Sequence, residues 1–278
     1  MKVVLFCGGF GMRLREYSET LPKPMAEIGY RPILWHLMKY YAHYGHKDFI
    51  LCLGYRGDAI KNYFLNYNEC ASNDFTLTRG GKNIQLMNRD IDDWTITFVD
   101  TGRNANIGQR LKAVEPYLKG EDIFLANYAD GLTDCDLPDV IESFEKRGAI
   151  GSFLSVRPIQ SFHVVQVQED GRVADIKDLS SSGLWINGGF MAFRNEIFKY
   201  IGPGEELVHE PLQRLIKENK LVTYRYEGFW ASMDTFKDKQ RLDDMYARGE
   251  TPWMVWQTDL DGGKSKLVAP SQEGALCP

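Results

Sequence analysis

Three glycines, Gly8, Gly9 and Gly11, follow directly on the apolar run Val3-Val4-Leu5-Phe6-Cys7 and share their loop with Arg13; Lys23 comes next, held between Pro22 and Pro24. Where no Cβ intrudes, backbone N–H groups can close around phosphate oxygens, and one arginine and one lysine in the same segment can neutralise a triphosphate. The chemistry this spacing points to is phosphoryl or nucleotidyl transfer. Two other glycine motifs fit less well. A dinucleotide fingerprint needs a third glycine where Leu14 stands and an acidic residue at the end of the second strand. A Walker loop needs Lys and Ser/Thr after its last glycine, and Gly11 is followed by Met12-Arg13. A tight strand-to-helix turn without a ligand is the plain alternative, and Arg13 with Lys23 argues against it.

A triphosphate is normally handled as its Mg2+ complex, and Mg2+ takes one or two carboxylates together with phosphate oxygens and water. Asp130 is the first candidate, because it stands just past the apolar run Ile123–Tyr128, at the edge where open α/β sheets bind ligands. A turn Asp-Gly with no ligand is the alternative there. Asp134-Cys135-Asp136 spells a D-x-D pattern that a glycosyltransferase would use to hold a nucleotide sugar through Mg2+. Asp136, however, precedes Leu137, Val140, Ile141 and Phe144 and reads as a helix cap, and the glycosyltransferase reading leaves Arg13 and Lys23 without a role. Asp234, ahead of Thr235, reads on its own as a helix N-cap. Glu27 reads as support for the Lys23 loop and His36 as a helix-face residue. The five histidines stand apart from any Ser/Asp or Cys partner pattern, so no nucleophilic triad is expected.

The elements that must position these residues alternate between short apolar runs and helical periodicity, which predicts an α/β fold. The expected architecture is a mostly parallel, doubly wound, Rossmann-like mixed sheet with helices on both faces and a small β annex. Strands are expected at Val3–Cys7, Phe49–Leu53, Thr95–Asp100, Ile123–Tyr128, Ile150–Val156, Val164–Gln168 and Val173–Leu179, the last two joined by a turn at Glu169-Asp170-Gly171. Helices are expected from Pro32 as first residue, after an Asp58 cap, over Ile107–Leu118 and Leu137–Lys146, and from Thr235 to Arg248. Residues 66–93 break the rhythm and read as an irregular insertion with one or two short strands. Residues 1–256 read as one domain, with a nucleotide-binding half at about 1–130 and an acceptor-binding half at about 131–256; residues 257–278 read as a mobile tail.

The 278 residues, 44% of them hydrophobic, can bury a full core. A net charge of −5 argues against nucleic acid as a partner, since no basic stripe is present to displace counterions from a phosphate backbone. Five scattered cysteines without a C-x-x-C pair suggest reduced thiols in a cytoplasm. No uncharged apolar stretch reaches the ~18 residues of a membrane span, and the N-terminal apolar run is too short for a secretory signal.

Gly8-Gly9-Phe10-Gly11-Met12-Arg13-Leu14 with Pro22-Lys23-Pro24-Met25 resembles the signature of the sugar-1-phosphate nucleotidyltransferases, a GT-A-like family. The Ala26–His36 segment narrows the resemblance to the glucose-1-phosphate cytidylyltransferases. It continues through Gly54-Tyr55-Arg56-Gly57, Val99–Gly102, Tyr128–Gly131, Ile186–Phe190 and Gly228–Thr235. What it implies is transfer from CTP to a phosphorylated acceptor, giving a CDP-sugar and pyrophosphate, with Mg2+ as cofactor and a homo-oligomeric enzyme. Gly8, Gly9, Gly11, Met12, Arg13, Lys23, Thr101, Gly102 and Arg110 would bind the nucleotide, Arg13 and Lys23 would be catalytic, and Asp130 and Asp234 would hold the metal. Arg110 could otherwise be a solvated residue of its helix. UTP or dTTP in place of CTP, a non-sugar phosphate or phosphonate acceptor, and a noncatalytic nucleotide-sensing paralogue are the remaining alternatives. Two departures fall on the acceptor side. Leu179 stands where the family has a lysine for the acceptor phosphate, with Lys177 able to replace it only through a register shift, and Phe162-His163 stands where the family has Phe-Gly. The acceptor is therefore expected to meet His163, Lys177, Asn187 and Gly188.

Overall fold

The computed structural model describes residues 1–9, 21–159 and 162–257. The chain runs β1 (Lys2–Phe6), the short pair β2 (Glu27–Ile28) and β3 (Arg31–Pro32), helix α1 (Ile33–His43), β4 (Asp48–Leu53), α2 (Gly57–Leu65), a ribbon of β5 (Phe75–Thr78) and β6 (Asn83–Leu86), β7 (Thr95–Asp100), α3 (Ile107–Val114), β8 (Ile123–Tyr128), β9 (Gly131–Thr133), α4 (Leu137–Lys146), β10 (Gly151–Val156), a second ribbon of β11 (His163–Val167) and β12 (Val173–Asp178), β13 (Ile186–Asn187), β14 (Met191–Arg194), α5 (Glu210–Lys217), β15 (Leu221–Tyr226), β16 (Trp230–Ser232) and α6 (Phe236–Ala247).

An eight-stranded mixed sheet carries the site. β7, β4, β1 and β8 lie side by side in parallel; the inner three read as near-continuous apolar runs, as expected for strands covered on both faces, and β7 is the edge strand. β14 then pairs antiparallel to β8, β10 antiparallel to both β13 and β14, and β15 parallel to β10. Two antiparallel steps restore the original direction, so β8, β10 and β15 all point their carboxyl ends to one edge. β13 and β14 form one interrupted line along β10, broken at Gly188-Gly189-Phe190. Gly189 has φ +79°, and a Cβ there would come 2.3 Å from Asn127 Oδ1, which accepts the backbone N–H of Phe190. Only glycine fits such an approach.

Alternation along β1 feeds two cores. Val3 and Leu5 join α1, α4 and α6 through Leu34, Leu37, Phe144 and Leu242, while Val4 and Phe6 join α3 and α5 through Leu111, Val114, Leu212 and Leu215. The helices therefore cover both faces, as the sequence predicts. Several boundaries differ from expectation. Pro32 is the N-cap of α1 rather than its first residue, because its extended ψ of 153° belongs to the pairing with Glu27. Asp58 lies inside the first turn of α2, whose N-cap is Arg56 in the left-handed region at φ 53°. The insertion resolves into a 3-10 turn and the β5/β6 ribbon.

His36 ties the β2/β3 turn to the C-terminal segment. Its Nε2 donates to Ile28 O at 3.0 Å, while Trp253 Nε1 donates to its Nδ1 at 3.4 Å. Each ring nitrogen thus has the partner a neutral imidazole needs, and burial pushes its pKa down from 6.5 to about 4. With the folded pKa depressed, this contribution is complete above the unfolded value and is lost as pH falls from 6.5 towards 4, by up to ~3 kcal/mol. The melting temperature should fall across that window in the wild type and fall less in His36→Gln. Parallel slopes by calorimetry would remove His36 from the pH dependence.

Candidate active site

Lys23, Asp130 and Asp234, distant in sequence, meet at one point. Lys23 Nζ lies 2.5 Å from Asp130 Oδ2 and 2.7 Å from Asp234 Oδ1. The lysine starts a 3-10 turn, Lys23–Met25, fixed by Met25 N donating to Pro22 O and Ala26 N to Lys23 O. The two carboxylates are brought together by a ribbon too short for the sequence to announce. β9 pairs antiparallel with β16, matching Gly131 to Ser232, and Met233 N donates to Asp130 O at 3.0 Å. Ser232 Oγ donates to Asp234 Oδ2 at 2.9 Å. The expected cap at Asp234 is instead Thr235, whose hydroxyl accepts from Asp238 N in a full capping box, leaving the Asp234 carboxylate to face Lys23. Burial opposes the charge on Lys23, but Asp130 and Asp234 outweigh it and hold the ammonium pKa above its ordinary value.

These carboxylates satisfy the donor chemistry of a hard divalent cation. Two anionic oxygens from separate segments already converge on one cationic atom, and no group of three or more His, Cys, Asp or Glu side chains with metal-binding geometry exists among the described residues. A pair of carboxylates completed by phosphate oxygens and water is the arrangement Mg2+ accepts.

Gly8, Thr101, Gly102 and Arg110, the residues expected at the nucleotide, are knit into one unit. Arg110, only 3% exposed, donates from Nη2 to Gly8 O at 2.9 Å and from Nη1 to Leu53 O at 3.1 Å, Thr101 Oγ1 at 2.7 Å and Gly102 O at 3.1 Å. The sequence offers a solvated helix residue or a direct ligand contact; the side chain is instead a buried strut that pins the first loop to the loop after β7. A cavity of about 240 Å3 opens beside it, lined among others by Gly8, Gly9, Asn104 and Glu206. Gly11, Met12 and Arg13 lie outside the described residues. A Cβ on Gly8 would sit 2.1 Å from Arg110 Nη1, and the guanidinium cannot swing aside without breaking its other bonds. Gly8→Ala should therefore cost ~1–3 kcal/mol of stability and weaken triphosphate binding about tenfold or more. Unchanged melting and unchanged calorimetric affinity would refute the strut.

Among the residues expected at the acceptor, Asn187 Oδ1 accepts from Gly189 N, and Gly188 O accepts from Trp230 Nε1 at 2.8 Å, joining this segment to the ribbon that ends near Asp234. His163 lies 3.3 Å from Asp178 across β11/β12 and is well exposed. Lys177 pairs with Val164 in that ladder and contacts Asp175 at 3.2 Å, so its side chain leaves the opposite face from His163. The ladder's only register shift falls at Gln166/Val167.

The D-x-D pattern is structural. Asp136 caps α4 by accepting from Asp139 N, and Asp134 Oδ1 accepts from Tyr226 OH at 2.5 Å and Phe229 N at 2.9 Å. A cavity of about 930 Å3 lies under the 66–93 insertion beside the Arg31/Asp90 pair. None of Lys23, Asp130 and Asp234 lines it.

Comparison with known proteins finds relatives in sequence and neighbours in fold. A family model described as "Nucleotidyl transferase" matches residues 2–238. A Bacillus subtilis protein named "Probable glucose-1-phosphate cytidylyltransferase" is 37% identical over 258 residues, 92% of this chain and 100% of that protein. A Salmonella typhi glucose-1-phosphate cytidylyltransferase is 36% identical over 259 residues, again 92% of this chain and all of the other. A UTP-bound UGPase from Acinetobacter baumannii superposes with a TM-score of 0.67 at 15% identity, covering 93% of this chain and 97% of that one, a likeness of fold.

Proposed function

The chain belongs to the nucleotidyl transferase family, and from that premise we propose that it is a Mg2+-dependent cytidylyltransferase joining CTP to a sugar 1-phosphate, glucose 1-phosphate or a close relative, with release of pyrophosphate. The observation that carries the reading is the convergence of Lys23, Asp130 and Asp234 at the carboxyl edge of the sheet. The base and the acceptor come from the relatives' names, since no side chain described here reads cytosine by itself.

In this mechanism a non-bridging oxygen of the acceptor phosphate attacks the α-phosphorus of the triphosphate in line, and the bond to the bridging oxygen of pyrophosphate breaks. No proton need move to the protein, because a phosphate monoester is already anionic. Rate then comes from positioning and charge neutralisation. Lys23, restrained by Pro22 and Pro24, places its ammonium against the charge that grows on the reacting phosphates. Asp130 and Asp234 would hold Mg2+, which when bound supplies charge neutralisation between the phosphates. Arg13 is assigned to the β- and γ-phosphates. Arg110 acts on the nucleotide through the loops it pins. Buried thiols take no part: burial pushes Cys52 up to about 12 and Cys7 well above its ordinary value.

A homo-oligomer in a reducing cytoplasm belongs to the same reading. Cys7, Cys52, Cys70 and Cys135 are free thiols. Both ribbons expose an apolar face, Phe75, Leu77 and Ile84 on one and Val165, Val167, Val173 and Ile176 on the other, and isolated two-stranded ribbons are marginal in water. No described helix is long and apolar enough to cross a membrane. The deciding experiment is a pyrophosphate-release matrix of CTP, UTP, dTTP, ATP and GTP against phosphorylated acceptors. CTP should give the highest kcat/KM; preference for UTP or dTTP overturns the base, and nucleotide-sugar cleavage without pyrophosphate overturns the class.

A further inference from the structure

The acceptor of this reaction carries a phosphate, and the side of the site that must receive it lacks the lysine expected at Leu179. Lys177 is held by Asp175 and His163 by Asp178. Cationic charge stands elsewhere on the same edge. β10 and β15 are parallel, pairing Ser155 with Arg225 and Val156 with Tyr226, and β13 pairs Ile186 with Val156. Three segments therefore meet at the carboxyl end of β10: Arg157 directly after it, Trp185 directly before β13, and Arg225 at the end of β15. The Arg157 guanidinium lies 4.0 Å from the Trp185 ring centroid and that of Arg225 lies 5.5 Å from it. β8, which leads into Asp130, ends at the same edge, and the segment carrying Trp185 continues through Asn187 and Gly188 to the Trp230 ribbon.

We propose that Arg157 and Arg225, ordered on Trp185, form the seat for the acceptor's phosphate. The proposal rests on the transferase reading above and names the residues that complete it. Stacking holds a guanidinium by its face and leaves its N–H edge for an oxyanion. Two such edges suit the dianion of a phosphate monoester or a phosphonate, which takes bidentate donors better than one ammonium. Among the described residues, the other contacts of Arg157 are long and exposed: Nη1 to Leu184 O at 3.4 Å and Nη2 to Glu227 Oε1 at 3.4 Å, with the Glu227 side chain 71% exposed. A phosphate competes well against partners of that kind. Asp130, Lys23 and the Gly8 loop lie on other segments, so the seat can be altered without altering them.

The test uses whichever acceptor in the matrix the wild type turns over best, beginning with glucose 1-phosphate. Arg157→Gln and Arg225→Gln should each raise KM for that acceptor about tenfold or more, with much smaller changes in kcat and in calorimetric CTP affinity. Trp185→Leu should raise the same KM by releasing both guanidiniums, and Arg157→Lys should recover only part of the loss. Acceptor KM values within twofold of wild type in both glutamine variants overturn the seat while leaving the transferase reading intact. Equal loss of CTP affinity overturns it as well, since the residues would then serve the fold or the nucleotide. No pyrophosphate from any acceptor removes the transferase reading, and the seat with it.

Discussion

Asp130→Asn and Asp234→Asn are each expected to lower kcat by ~10³-fold or more, with melting temperatures close to the wild type. The two carboxylates supply anionic oxygens that converge on the Lys23 ammonium, and in the proposed reaction they would hold Mg2+. Asparagine preserves their shape and removes their charge, so a hard cation loses half its protein ligands while the ribbon stays closed. The ribbon depends on main-chain pairing of β9 with β16 and on the bond from Met233 N to Asp130 O, none of which uses a carboxylate. Excess EDTA should silence the wild type, and added Mg2+ should restore it. Binding of Mn2+ followed by water-proton relaxation separates causes, because each variant should bind it more weakly in the presence of CTP. Either variant retaining more than a tenth of wild-type kcat, or full activity under chelation, would return these aspartates to a structural role beside Lys23.

How far the sequence reaches depends on the range of the interaction. The apolar runs that become β1, β4 and β8 are buried on both faces, and such runs are visible without knowing their partners. α4 is legible to the residue, because Asp136 and the spacing of Leu137, Val140 and Phe144 are local signals. The site is legible as residue types and not as geometry. Lys23 and Asp130 stand out by their surroundings, whereas Asp234 looks like a cap until the Thr235 capping box is seen to do that work. The β9/β16 ribbon has three residues a side and no periodicity to detect. The strut role of Arg110 leaves no such signal for a related reason: its partners Gly8, Leu53 and Thr101 come from three separate segments, and pairing across segments leaves no trace in spacing. The Arg157, Trp185 and Arg225 cluster is the same kind of object, assembled by sheet register from three segments that look ordinary in isolation.

Lys23→Ala should lower kcat by ~10²–10³-fold, the ~3–4 kcal/mol that a preorganised charge aimed at a developing oxyanion supplies. Its stability effect should not be small either. The side chain is only 15% exposed and lies between two carboxylates. Removing it leaves like charges facing each other in a partly dry place, at ~1–3 kcal/mol. That cost carries a signature. Divalent cation at millimolar concentration should stabilise the variant more than the wild type, because in the variant no ammonium competes for the same oxygens. Activity should stay low regardless, since a metal between Asp130 and Asp234 restores their neutrality and not the cation that Pro22 and Pro24 aim at the reacting phosphates. Melting curves with and without Mg2+, set beside kcat at saturating CTP, separate the two roles. A variant whose kcat returns to within threefold of wild type once Mg2+ has restored its stability would make Lys23 a clamp for the two aspartates and nothing more.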